Sequence, residues 1–206
     1  MKAVIFDVDG TLWDSSESVL KAWNGVFAKR GLPLRTLADI HACMGLTREK
    51  IEEKFFSGMP REARVEIVTE CLKTQEGILE REGGRLYPGV KETLPLLAAR
   101  YELYIVSNCE SGYIENMLSF CGLEAHFKGF LCAGDTGRPK GENLKILRER
   151  YGLTDCVYVG DTHTDELACR FAEIPFVWVS YGFGKAEAPA AELGDFRQIS
   201  GALEKL

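Results

Sequence analysis

Hydrophobic positions along this chain change their period several times, and each change marks an element. Ala3-Val4-Ile5-Phe6 is a continuous apolar run that stops at two carboxylates, Asp7 and Asp9, one valine apart, before Gly10 and Thr11. Such a run predicts a buried strand that ends in a turn. After Leu12 the pattern becomes helical and stays so to about Gly83. Val19, Leu20, Trp23, Val26 and Phe27 recur at helical spacing behind Ser15 or Ser16, either of which suits an N-cap, and Gly31 and Pro33 close that helix. A short piece over residues 37–43 leads to Met44-Gly45-Leu46-Thr47, where Thr47 suits the cap of a helix carrying Ile51, Phe55 and Phe56. Pro60 opens a longer helix through Val65, Val68, Cys71, Leu72 and Leu79. No strand is expected here, and the stretch is far longer than a crossover between strands needs. Residues 15–82 therefore read as a separate helical insert.

From Tyr87-Pro88-Gly89 onward strand and helix alternate. Apolar runs over residues 103–106, 129–132, 156–159 and 175–179 are separated by helical patterns through Leu94 and Leu97, Met117 and Leu118, Leu144 and Leu147, and Leu167, Ala168 and Phe171. The fold class this predicts is α/β, a doubly wound parallel sheet built from residues 1–14 and 83–206, with 175–179 as its last buried strand.

Composition narrows the class. A chain of 206 residues, 46% of them hydrophobic, has enough apolar surface for a real core. A net charge of -6 argues against a nucleic-acid surface, which wants a basic patch. The seven cysteines are scattered and odd in number, with no Cys-x-x-Cys pair, which points to a reducing compartment. The N-terminal apolar run is too short for a signal peptide and no segment approaches membrane-spanning length, so a soluble cytoplasmic protein is expected. No oligomeric state is legible, and a monomer is compatible with the sequence.

In an open parallel sheet ligands sit beyond the carboxyl ends of the strands, where Asp7 falls. Residues two apart in an extended segment point the same way, so Asp7 and Asp9 can face one reactant. Two adjacent carboxylates need a counter-ion. An oxygen-seeking divalent cation such as Mg2+ suits them, whereas Zn2+ would want His or Cys beside them. An EF-hand loop is excluded, because a strand precedes the motif and Gly10 comes too early. Three apolar strands end at Asp7, at Ser107 and at Asp161, and parallel strands bring those ends into one crevice. Gly160-Asp161-Thr162-His163-Thr164-Asp165 enters a helix and adds two carboxylates that can turn towards the same cation, although Asp165 or Thr162 also suits a helix cap. Lys140 or Arg138, before a further helix, would offset the negative charge collected there.

Together these residues resemble the haloacid dehalogenase superfamily of phosphotransferases. Asp-Val-Asp-Gly-Thr-Leu at Asp7 to Leu12, a strand ending in Ser107-Asn108, Lys140, and Gly160-Asp161 with Asp165 stand in that family's order across the whole chain. The insert resembles the small helical cap of its phosphoglycolate phosphatase-like branch, which implies a Rossmann-like core with an inserted α-helical cap domain. The resemblance implies Asp7 as a nucleophile that forms an aspartyl-phosphate, and Asp9 as the acid for the leaving alcohol and the base for water. It implies Mg2+ held by Asp7, the Asp9 backbone carbonyl, Asp161 and Asp165, the last binding directly or through water. Thr11, Ser107 and the backbone around Asn108 would bind phosphoryl oxygens, and Lys140 would neutralise charge.

The family's lysine often precedes a proline, whereas here Pro139 lies between Arg138 and Lys140; Lys140 is favoured. The dehalogenases proper lack the second acid, so Asp9 argues against that activity. Met44-Gly45-Leu46-Thr47-Arg48 resembles a cap loop that reaches the substrate, which makes Arg48 a candidate substrate-binding residue, although an arginine in a first helical turn is ordinarily solvated. Trp13, Trp23 and Tyr87 would line the cap–core interface or simply pack, and His163 opens a helix near the site. The expected activity is Mg2+-dependent hydrolysis of a small phosphorylated metabolite, phosphoglycolate- or sugar-phosphate-like. A phosphomutase is the alternative, and a catalytically silent binding module the third reading.

Overall fold

The structure, a computed structural model, describes residues 2–206. The first apolar run is β1 (Ala3–Phe6), buried at all four positions. With β4 (Glu102–Ser107), β5 (Phe127–Cys132), β6 (Cys156–Gly160), β7 (Phe176–Val179) and β8 (Ala191–Leu193) it forms a parallel sheet in the order β5-β4-β1-β6-β7-β8. β1 pairs with β4 on one side and β6 on the other, Phe6 standing opposite both Ile105 and Val159. The chain moves outward through β4 and β5, then returns across β1 to β6, so the switch in direction falls beside β1.

Alternation along β1 distributes its side chains to two cores. Val4 and Phe6 join Leu94 and Leu97 of α5 (Val90–Ala98) and Met117 of α6 (Tyr113–Cys121). Ala3 and Ile5 join Leu144 and Leu147 of α8 (Lys140–Tyr151) and Cys169 of α9 (His163–Ala172). Each large apolar side chain so buried contributes about 2 kcal/mol. The same parity sends Asp7 out on the α8/α9 side, towards the N-terminal turns of both helices.

α1 (Ser16–Lys29), α2 (Leu37–His41), α3 (Arg48–Phe56) and α4 (Arg61–Glu82) enclose an apolar cluster of their own, centred on Trp23, Phe27, Phe56 and Val68. The chain leaves for these helices and returns from them through an antiparallel ribbon, β2 (Trp13–Asp14) against β3 (Arg85–Leu86). This ribbon departs from the expectation that helix follows directly on Leu12. Two residues are too few to show a period, and their pairing is made by distant chain.

Other departures have similar causes. β8 follows the strand expected to be last; it lies at the sheet edge with only Leu193 buried, so it has no continuous apolar run. α7 (Ala133–Thr136) and α10 (Ile199–Leu203) are too short for periodicity to reveal. Ser15 occupies the N-cap of α1 without capping it, and the Asp14 carboxylate accepts the Ser16 N–H instead at 2.9 Å. Thr47 likewise makes no side-chain cap bond. On α9 the small residues Ala168, Cys169 and Ala172 face the sheet, while Leu167 and Phe171 are exposed.

Candidate active site

Asp7 is anchored at the end of β1 by its N–H, which donates to the Val159 carbonyl at 2.9 Å. The chain then turns tightly, Leu12 N–H returning to the Val8 carbonyl at 2.9 Å. Gly10 has φ +80, and a Cβ there would stand 2.1 Å from Asp161 Oδ2. A glycine is therefore required, by backbone conformation and by the approach of Asp161.

Asp161 leaves β6 beside this turn. Its Oδ2 accepts the Phe183 N–H at 2.7 Å, and its backbone carbonyl accepts the Trp178 indole N–H at 2.9 Å. Asp165, in the first turn of α9, accepts from Thr162 N–H at 2.9 Å and Thr162 Oγ1 at 2.7 Å, completing a capping box. Its other oxygen takes the Lys140 ammonium, which also stands 2.9 Å from Asp7 Oδ1. The one side chain of Asp165 thus both caps α9 and pairs with Lys140.

Lys140 is 2% exposed, whereas Arg138 is solvent-facing and paired with Glu142 at 2.6 Å. The cation aimed at Asp7 is therefore Lys140. Ligand oxygens of Asp7, Asp161 and Asp165 lie within 4.8 Å of one another. Asp7 Oδ2, Asp161 Oδ1 and Thr11 Oγ1 are buried and have no hydrogen-bond partner among the described residues. One ammonium against three buried carboxylates leaves a deficit of two positive charges, which a divalent cation bound by oxygen would supply. Burial drives two of the metal-free carboxylates towards their neutral forms: Asp7 is pushed up to about 7 despite Lys140, and Asp161 is well above the usual carboxylate range. Burial alone would lower the Lys140 ammonium, but Asp165 and Asp7 outweigh it and hold its pKa above the ordinary value.

The Asp9 carboxylate stands outside this cluster. Its Oδ1 accepts from the Tyr113 hydroxyl at 2.7 Å and from the Ser15 hydroxyl at 3.0 Å, and burial raises it to about 6 against those two bonds. The sequence does not mark either residue as a partner of Asp9: Ser15 reads there as an N-cap, and Tyr113 is indistinguishable from an apolar helix position. The 181–184 segment, Tyr-Gly-Phe-Gly, also reaches the site: Phe183 holds Asp161, and Tyr181 donates to the Thr11 carbonyl at 2.8 Å. Its Gly-Phe-Gly sequence was the available signal of a tight loop.

Ser107 is buried at the end of β4. The Asn108 side chain is spent on structure: its amide donates to the Gly45 carbonyl at 2.9 Å, and its Oδ1 accepts the Lys140 N–H at 3.1 Å. A second contact, between the His41 and Phe183 rings at 4.8 Å, also seats the insert on the site. Arg48 is turned onto the insert itself, bonded to Glu52 at 3.0 Å, to the Val65 carbonyl and to Thr69. Trp13 is fully buried against Tyr113, Trp23 belongs to the insert's core, and Tyr87 lies on Tyr181. His163 is paired with Glu166. Between insert and core a cavity of ≈ 90 Å³ reaches down to Asp9.

Comparison with known proteins agrees with this geometry. Residues 4–179 match the model of the haloacid dehalogenase-like hydrolases. The chain is 32% identical to the phosphoglycolate phosphatase of Xanthomonas campestris pv. campestris over 88% of its own length and 84% of that protein's. It is 26% identical to the phosphoglycolate phosphatase of Yersinia pestis, over 95% and 88%. In fold it is similar to a haloacid dehalogenase-like family protein of Streptococcus pneumoniae, with TM-score 0.88, 21% identity and 98% of each chain covered. A predicted phosphoglycolate phosphatase of Haemophilus somnus also gives 0.88, with 22% identity and 98% of each chain covered. The site, the sheet order and these relatives lead to one statement: the chain belongs to the haloacid dehalogenase-like hydrolase family, as an enzyme of the phosphatase class.

Proposed function

We propose that the protein is a Mg2+-dependent phosphatase that hydrolyses a small phosphomonoester through an aspartyl-phosphate on Asp7. The observation that carries this reading is the Lys140 ammonium bridging Asp7 and Asp165 beside Asp161, with oxygens of Asp7 and Asp161 left without donors. Mg2+ would be held by Asp7, Asp161 and the Asp9 backbone carbonyl, with Asp165 binding it directly or through water while also steadying Lys140 and the 161–162 turn, and would supply neutralising charge for the phosphoryl oxygens.

The Asp7 carboxylate attacks phosphorus in line, forming the P–O bond of the phosphoenzyme as the bond to the alcohol breaks. Asp9, held by Tyr113 and Ser15, gives its proton to the departing oxygen. It then takes a proton from the water that attacks phosphorus, and Asp7 and inorganic phosphate are released. Lys140, the Thr11 hydroxyl and Ser107 stabilise the charge on the transferring group. We read residues 15–82 as a cap over a core of 1–14 and 83–206. The seven cysteines, all free, support a reducing, cytoplasmic setting.

The relatives' names make phosphoglycolate the reference ester. A phosphomutase would need Arg48 to grip a second phosphate, and Arg48 is already bonded within the insert. The test is phosphate release from a panel of phosphomonoesters with Mg2+ or EDTA, using wild type and Asp7→Asn. Metal-dependent release that vanishes in the variant supports the reading, and no release from any ester by wild type overturns it.

A further inference from the structure

We propose that the enzyme selects phosphomonoesters of small, uncharged and mainly apolar alcohols, and discriminates against esters whose alcohol carries a carboxylate or several hydroxyls. This selectivity rests on the phosphatase reading, with Asp9 protonating the leaving oxygen. An alcohol that takes its proton from Asp9 must occupy the space that Asp9 borders, and that space is the ≈ 90 Å³ cavity between core and insert. Much of its wall is apolar, with Val19, Leu46, Phe55, Val68 and Leu72 among its lining. A cavity of about 150 Å³ holds benzene, so this one has room for an alcohol of about four non-hydrogen atoms.

Charge on the wall points the same way. Arg48 is the one cation among the described residues that line the cavity. Its Nε and Nη2 bond the buried Glu52, the Val65 carbonyl and Thr69, and Glu52 compensates its charge. Seen from the cavity, Arg48 and Glu52 form a neutral pair, and Glu110 adds a negative charge to the same wall. A substrate carboxylate placed there would meet Glu110 and no uncompensated cation, and would lose its water in doing so.

Hydroxyl groups would find few partners beyond Ser107, Glu110 and the Gln75 amide nitrogen, because Asp9, Asn108, Tyr113 and Gln75 Oε1 are already bonded. Gln75 Oε1 accepts the Trp23 indole N–H at 2.8 Å, the Asn108 amide and carbonyl are both used, and Tyr113 donates to Asp9. A polyol buried among them would leave hydroxyls without partners.

The experiment measures kcat/KM with Mg2+ for methyl, ethyl and propyl phosphate, glycerol 3-phosphate and phosphoglycolate. The expected result is a rise of about fourfold per added methylene along the alkyl series. Phosphoglycolate and glycerol 3-phosphate should fall about tenfold or more below propyl phosphate. Glu52→Gln keeps a partner for Arg48 but removes its compensating charge, and should raise the ratio of phosphoglycolate to propyl phosphate about tenfold. A wild-type preference for phosphoglycolate, or rates flat along the alkyl series, would overturn the proposal and leave the phosphatase reading standing. An unchanged ratio in Glu52→Gln overturns the part assigned to Arg48 and Glu52. Hydrolysis of none of these esters, nor of any ester in the wider panel, overturns both readings.

Discussion

The side-chain amide of Asn108 donates to the backbone carbonyl of Gly45 across 2.9 Å, joining the end of β4 to the loop before α3. The same side chain accepts the Lys140 N–H, so the seating of the insert and the placement of the lysine share one residue. Asn108→Asp keeps the acceptor for Lys140 and loses the donor to Gly45, and should lower kcat/KM about fivefold. Asn108→Ala loses both and should lower it about thirtyfold, as steady-state kinetics on one ester would show. Equal losses in the two variants would remove the Lys140 arm of this account.

Replacing the nucleophile separates activity from stability. Asp7→Asn should drop turnover below about a thousandth of wild type. It also removes a charge that burial disfavours, while Lys140 keeps Asp165 as a partner. Calorimetry without metal should therefore give a melting temperature equal to or above that of wild type; a clear fall would mean that the Asp7–Lys140 pair carries stability.

The stability of the metal-free protein should fall as pH rises. Asp7 and Asp9 stand at about 7 and about 6 in the fold, against 3.8 for the unperturbed group. Between the unfolded and folded values the native state binds more protons than the unfolded chain, so each pH step costs stability until both groups are ionised. Mg2+ bound at the proposed site would offset that cost by holding the ionised forms. Thermal melts should show the gap between Mg2+ and EDTA widening from about pH 5 to about pH 7.5.

Tyr113→Phe removes the 2.7 Å bond to Asp9 and leaves Ser15 in place. A fall of about five- to tenfold in kcat with little change in KM is expected. Because the Tyr113 bond lowers the Asp9 pKa, its loss should move the Asp9 limb of the kcat–pH profile to higher pH. A profile that keeps its position would show that Tyr113 only packs.

Sequence alone determined where the apolar strands of this protein end and which polar residues stand at those ends. The apolar run before Asp7, the strands ending at Ser107 and Asp161, and the charges at Lys140 and Asp165 were legible because a buried strand needs continuous apolar residues and a parallel sheet gathers its ends. Side-chain parity along β1 even assigns Asp7 to the face where Lys140 stands. Tertiary structure decided the partners. That Tyr113 and Ser15 take Asp9, that Phe183 takes Asp161, that Lys140 rather than Arg138 is buried, and that Glu52 claims Arg48 are contacts between distant segments. A local pattern records which face of an element is apolar, but hydrogen bonds across elements depend on how those faces dock, and a tyrosine or an arginine reads the same in sequence whether it packs, pairs or binds substrate.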